Sequence, residues 1–551
     1  MNITEAKEQV KYAVISYLSR NEFGDYIIPI ERQRPLFLMG PPGIGKTDII
    51  TQIACEMDIA LVSYSMTHHT RQSALGLPFI ATKEYGGQEY RTTEYTMSEI
   101  IASVYDVMEA TGKKEGILFL DEINCISETL APSMLQFLQF KTFGRHRVPE
   151  GWVVVTAGNP AEYNDSVRDF DLATLDRLKR LDIEPDVKAW LSYAAEEDVH
   201  AAVVTYLEIK KDDFYSVRTT IDGKEFVTAR GWVDLSDMIK LYEKNDLPVT
   251  IDLIRQYVHD ERIARDFSAY YDLFYRFRKD YRIDEVLDGV LGPDVLARAA
   301  RSRFDERLAV VRMITDALHQ DFRDVYEDGK TIRALLQIVK DNKEAFSGDL
   351  PEALDGALAA VAKVREANKA ALAKGRMSRA ISKEDARIAL AVETALSDFD
   401  MYLRKAGTVV GGPADTAGDR DGRLEDVVRA FFSAKNAERK ARSTRTGERL
   451  EHAYRFLEQA YGGTGLTTES FDANAGEGGF GQRPSVDIGT GLPIGDASDR
   501  ELLIFTTSLT ENKYSADFIS TYGSDAYFRH NKGLLLYERE KDLAGALEQL
   551  Q

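Results

Sequence analysis

Gly40-Pro41-Pro42-Gly43-Ile44-Gly45-Lys46-Thr47 decides how this chain reads. The run follows a short apolar segment, Leu36 to Met39, and opens a stretch of helical character, so a glycine-rich turn is set between a strand and a helix. The glycines let successive backbone N–H groups point into one concavity, and the helix N-terminus adds partial positive charge there. A polyphosphate can then lie against main chain without side-chain obstruction. In that setting Lys46 reaches the β and γ phosphates and Thr47 holds Mg²⁺, with Gly40 through Asp48 forming the contact surface.

Working outward, the next informative segment is Gly116-Ile117-Leu118-Phe119-Leu120, a continuous apolar run expected of a strand buried on both faces of a parallel sheet. Asp121-Glu122 stands at its end. Ligands of open α/β sheets bind at the carboxyl ends of strands, so Asp121 is expected in the Mg²⁺ shell and Glu122, one residue on, facing the attacking water as its base or orienter. A third apolar strand, Trp152 to Thr156, ends in Ala157-Gly158-Asn159-Pro160. Asn159 is thereby an uncharged amide at a strand tip, suited to orient that water or meet the γ-phosphate; the plain alternative is an Asn-Pro turn.

These segments, in this order, resemble the AAA+ ATPases and, within them, the MoxR-like group related to the dynein motor modules. The matching residues are the phosphate loop Gly40 to Thr47, the Walker B run Ile117 to Glu122 continuing as Ile123-Asn124, the sensor 1 segment Thr156 to Pro160, and Leu175-Asp176-Arg177. In that group the last motif usually ends in phenylalanine; here Leu178 replaces it and Arg180 follows. By resemblance Arg177 is the finger that acts on a neighbour's nucleotide, with Arg180 as its rival, the alternative for either being an ion pair with Asp176 or Asp182. Thr228-Ala229-Arg230-Gly231-Trp232 is similar to the sensor 2 region, although Ala229 stands where the group commonly has proline. The resemblance covers residues 1–275. It implies ATP and Mg²⁺ as cofactors and a ring, hexameric by family habit, because a finger turned away from its own nucleotide serves only the next subunit.

The fold class implied is α/β: an AAA+ P-loop core with a parallel sheet, then a helical lid, then a mainly α-helical C-terminal region. The expected divisions are the core at 1–185, the lid with a small β-hairpin (Tyr215 to Thr228) at 186–275, a helical domain at 276–405 containing the Ala-rich stretch Ala353 to Lys374, a flexible linker at 406–423, and a C-terminal helical region at 424–551 with a Gly-rich loop at 462–499. Two insertions interrupt the core. Phe79 to Tyr95 alternates around Gly86-Gly87 as a hairpin, and Lys141 to Pro149 reads as a second one, basic at Arg145 and Arg147. In the MoxR-like branch such insertions project as partner contacts.

Composition narrows the partners. A length of 551 residues with 44% hydrophobic content supplies core for several domains, and no apolar stretch is long enough to span a bilayer. Met1 to Arg20 reads as an amphipathic helix without the pattern of a secretion signal. Two cysteines, Cys55 and Cys125, read as small core residues, and the natural compartment is the cytoplasm. The 70 Lys and Arg against 90 Asp and Glu give a net charge of −20, which disfavours nucleic acid as a partner. A basic stretch, Lys435, Arg439, Lys440, Arg442, Arg445 and Arg449, lacks interleaved aromatics and reads as a solvated or partner-facing helix. His68-His69 lacks metal-ligand spacing, and Asp419 to Gly422 reads as linker.

The expected function is a Mg²⁺-dependent ATPase that, as an oligomeric ring, remodels, chaperones or activates a protein client. The resemblance also implies a von Willebrand A-domain partner on a separate chain. The alternative is a nucleotide-state switch or scaffold with slow turnover, and behind it a nucleic-acid motor.

Overall fold

The computed structural model describes residues 1–531 except 69–71, 73, 75, 144, 164–166, 168–169, 221–222, 378–380, 411–422, and 462–499 save 485–486 and 493–494. Residues 411–422 of the expected linker at 406–423, including Asp419 to Gly422, most of the Gly-rich loop at 462–499, and His69 therefore lie outside the described residues.

Two compact units account for the chain, one of Met1–Ala189, Thr228–Gly231 and Ala359–Leu396, the other of Trp190–Val227, Trp232–Leu358 and Ser397–Gln551. The first is built on a sheet of β1 (Leu36–Met39), β2 (Ala60–Ser65), β5 (Gly116–Asp121), β8 (Trp152–Gly158) and β9 (Lys179–Asp182). Its order is β2-β5-β8-β1-β9 and every pairing is parallel. Helices cover a parallel sheet on both faces, which is why these strands carry uninterrupted apolar runs rather than alternation. Leu36, Phe37, Leu38, Leu118, Phe119 and Val155 are fully buried.

Register brings the strand ends into line. Met39 lies opposite Gly158, and Ser65 opposite Asp121. The carboxyl ends of β1, β2, β5 and β8 thus form one edge, and Thr156 Oγ1 ties β8 to β1 through the Leu36 carbonyl at 2.9 Å.

The two insertions are hairpins. β3 (Pro78–Tyr85) and β4 (Gln88–Tyr95) turn at Gly86 and Gly87, whose φ angles of 61° and 80° suit a two-residue turn of the kind that matches strand twist. β6 (Thr142–Phe143) and β7 (His146–Arg147) make the second. The two are joined: Glu94 takes Lys83 from its own hairpin and Arg145 from the other, at 3.0 Å in the latter case. Cys55 and Cys125 are half-buried thiols in no disulfide among the described residues, rather than full core residues.

In the second unit, β10 (Ser216–Thr220) and β11 (Gly223–Val227) pair as the expected small hairpin, with residue 222 outside the described residues. The rest is mainly helical. Phe304–Asp341 buries Val310, Ile314, Leu318 and Phe322, a stripe at four-residue spacing, and Leu424–Tyr461 buries Leu450, Ala453, Tyr454 and Leu457. Phe322 and Phe518 of the helix Lys513–Tyr522 lie 4.9 Å apart between ring centres. Three arginines of the basic stretch are paired within their unit: Arg442 with Asp328, Arg445 with Asp288, and Arg449 with Asp321 at 2.6 Å and Asp284 at 3.0 Å. The Ala-rich helix Leu350–Met377 and its successor Lys383–Val410 run antiparallel; their residues 359–396 belong to the first unit, where Arg365 pairs with Glu393 and Asn368 donates to the Ala389 carbonyl.

Phe37 fills the centre of the first unit's core and is fully buried. Phe37→Ala is expected to lower the stability of this unit by about 3–5 kcal/mol in chemical denaturation.

Candidate functional site

The loop after β1 is shaped by backbone demands that only glycine meets cheaply. Gly43 and Gly45 have φ of 72° and 95°, and a Cβ on Gly43 would stand 2.9 Å from the Thr228 side chain. Gly45 caps the helix Lys46–Glu56, so the unpaired N–H groups of its first turn open into the loop.

Lys46 is 8% exposed, and its ammonium donates to the carbonyls of Gly40 at 2.7 Å and Pro41 at 2.8 Å and to Asn159 Oδ1 at 2.9 Å. Burial pushes its pKa down to about 8, the nearby Asp121 carboxylate resisting and Arg230 assisting. Thr47 Oγ1 donates to Asp121 Oδ2 at 3.0 Å. Asp121 Oδ1 accepts the Glu122 backbone N–H at 2.9 Å, and Glu122 sits in the left-handed region with φ 56°. That conformation turns the chain sharply out of β5 into the short 3₁₀ turn Ile123–Cys125. Lys46, Thr47, Asp121, Glu122 and Asn159 are thereby gathered at one edge of the sheet.

Arg230 reaches the same loop from the start of the helix Ala229–Lys244. Its backbone N–H donates to the Gly43 carbonyl at 3.0 Å while its side chain is exposed. Ile44 is buried, Pro41 gives its carbonyl to Lys46, and the Asp48 side chain is exposed. Arg177 follows the short helix Leu172–Leu175 and is exposed, without an ion pair among the described residues. Arg180 lies on β9 and pairs with Asp182 at 2.8 Å, the ion-pair alternative.

Three side chains that the sequence reading did not single out belong to this edge. Ser65 Oγ and Thr67 Oγ1 both donate to Glu122 Oε2, at 2.9 and 3.1 Å. Asn124 Nδ2 donates to the Asn159 carbonyl at 2.8 Å. The first two follow from strand order alone: β2 neighbours β5, so polar residues where β2 ends face whatever β5 carries at its tip. Asn124 is visible in the sequence only as the end of the Walker B run, with no role attached to it.

The donor set fits a Mg²⁺-nucleotide. A hydroxyl and a carboxylate 3.0 Å apart offer hard oxygen ligands for Mg²⁺, and a buried ammonium bonded only to neutral oxygens stands ready for phosphate. Among the described residues no group of His, Cys, Asp and Glu forms another metal site.

Residues 36–178 match the family described as ATPase family associated with various cellular activities (AAA). The three strand ends just described all lie within this segment, and the match supports an ATPase of the AAA+ type. No curated protein matches the chain. No described helix is long and apolar enough to cross a membrane.

A phosphate ligand needs Lys46 charged. Nucleotide affinity is expected to be flat below a pH of about 8 and to weaken above it, by up to about tenfold per pH unit, as the free protein's ammonium loses its proton. Calorimetric titration with ADP at fixed Mg²⁺ between pH 7 and 9.5 checks this.

Proposed function

We propose that this chain is a Mg²⁺-dependent ATPase of the MoxR-like branch that works in the cytoplasm as a hexameric ring and uses turnover to remodel, chaperone or activate a protein client. The observation that carries the reading is the line of hydrogen bonds from Gly40 and Pro41 through Lys46 to Asn159, with the Thr47 and Asp121 pair beside it. Lys46 and the loop N–H groups would bind the β and γ phosphates. Thr47 and Asp121 would hold Mg²⁺, whose charge offsets that of the phosphate oxygens when bound. Glu122 orients and deprotonates the attacking water, Asn159 steadies that water or the γ-phosphate, and Arg230 senses the nucleotide from the lid.

Arg177 is the better finger. Its guanidinium is exposed and unpaired among the described residues, whereas Arg180 is engaged by Asp182. A planar guanidinium stays charged and meets phosphate oxygens two at a time, so it suits a neighbour's nucleotide. The hairpin β3–β4 supports a client role: Ile80 is 72% exposed, and Phe79, Tyr85 and Tyr90 are also exposed, an apolar surface on an otherwise acidic chain. The client includes, on this reading, a von Willebrand A-domain protein on a separate chain. The core at 1–185 and lid at 186–275 form the motor, and the helical domain at 276–405 and the region 424–551 carry its partner contacts.

One observation favours the second reading, a slow nucleotide-state switch: Ser65 and Thr67 both donate to the Glu122 carboxylate, and on this reading turnover waits on its release.

ATP turnover per protomer against protein concentration separates the two. Specific activity is expected to climb steeply with concentration. Arg177→Ala should remain about 10³- to 10⁵-fold below wild type, and Glu122→Gln should bind nucleotide normally while losing about 10²- to 10⁴-fold in rate. Lys46→Ala should bind no nucleotide. Turnover that is negligible at every concentration with binding intact supports the switch, and normal turnover by Glu122→Gln sinks the role given to that residue.

A further inference from the structure

The geometry points to Asn124 as a positioning residue that sets sensor 1: it holds the Asn159 main chain so that the Asn159 side chain meets the phosphate end of the site. This rests on the ATPase reading above and names a residue that reading does not use.

Asn124 is 1% exposed and leaves the short turn after the acidic pair. Its Nδ2 donates to the Asn159 carbonyl at 2.8 Å, while Asn159 Oδ1 accepts from Lys46 at 2.9 Å. One residue earlier, Gly158 lies flat against the same amide. A Cβ at Gly158 would come 2.5 Å from Asn124 Oδ1 and 2.8 Å from its Cγ. The Gly158 carbonyl in turn accepts the Gly40 N–H at 3.3 Å. The strand tip at 158–159 is therefore gripped from one side by the phosphate loop and from the other by Asn124.

The grip matters because Asn159 is followed by Pro160 and leaves the ladder at Gly158, so main-chain pairing to neighbouring strands no longer fixes it. The Asn159 carbonyl, half-buried just past the strand end, also needs a donor, since an unpaired one shielded from water is costly. Asn124 supplies that donor. It also sits two residues past Glu122, so one short turn aims both the water-activating carboxylate and, through Asn159, the group beside the γ-phosphate. An error of about 1 Å in such an aim can cost about 100-fold in rate. Asn124 itself touches neither Lys46 nor the loop carbonyls that Lys46 bonds, so its effect on nucleotide binding is expected to be small.

The test uses the full chain with Asn124→Ala, Asn159→Ala and the double variant, reading kcat and the separate affinities for ATP and ADP. Asn124→Ala should keep ADP affinity within about threefold and lose about 10- to 100-fold in kcat. The double variant should be no slower than Asn159→Ala alone, because the first residue acts through the second. A role in stability alone predicts multiplying losses, and that result overturns the proposal, as does wild-type turnover by Asn124→Ala. Should Asn124→Ala fail to fold, the near-isosteric Asn124→Leu removes the donor without a void or a buried charge and is expected to behave in the same way. If wild type proves no faster than Lys46→Ala, the ATPase reading fails by itself. The ratio of ADP to ATP affinity then decides: equal changes in Asn124→Ala and Asn159→Ala, with no further change in the double variant, uphold Asn124, and a change in Asn159→Ala alone, or in neither, removes it.

Discussion

The buried ammonium of Lys46 is the constraint on which the first unit's edge is arranged. With 8% exposure and three oxygen partners, it draws the loop after β1 onto the tip of β8 and leaves one charged group to face whatever enters. A lone cation is stable there only because Gly40, Pro41 and Asn159 all present neutral acceptors at close range. Its lowered pKa records the cost, and the Asp121 carboxylate nearby repays part of it.

From that bond the local conformations follow. Gly43 and Gly45 take left-handed backbone so that the loop closes around the ammonium, and Glu122 takes it so that the chain leaves β5 within one residue. A non-glycine residue there is uncommon and costs strain, which is held by the Asp121 carboxylate accepting the Glu122 N–H and by Ser65 and Thr67 on the Glu122 side chain. The same edge then carries four polar tips on four adjacent parallel strands, a consequence of strand order β2-β5-β8-β1 and of crossover connections that return every strand in the same direction.

The second unit obeys a different economy. Its long helices bury apolar stripes, and their charges are matched laterally: the arginines of Leu424–Tyr461 meet aspartates of 284, 288, 321 and 328. A helix that reads as a basic surface in one dimension is therefore largely neutralised in three. Such pairs are individually weak where exposed, but Arg449, 9% exposed with two aspartates at hydrogen-bond distance, fixes register between helices.

Much of the sheet was legible in the sequence. Continuous apolar runs at Leu36, Gly116 and Trp152 announce strands covered on both faces, the Gly86-Gly87 turn announces a hairpin, and the phosphate loop, Asp121-Glu122 and Asn159 each sit at the strand end where they were expected. These are local properties, carried by side-chain pattern and by backbone angles that few residues tolerate. What only the tertiary structure decided is which of those ends touch: that Lys46 bonds Asn159, that Ser65 and Thr67 hold Glu122, that Asn124 grips Asn159, and that Asp182 occupies Arg180 while Arg177 stays exposed. Residues 113 positions apart, such as Lys46 and Asn159, meet through the strand order, and strand order is set by packing that no single segment encodes.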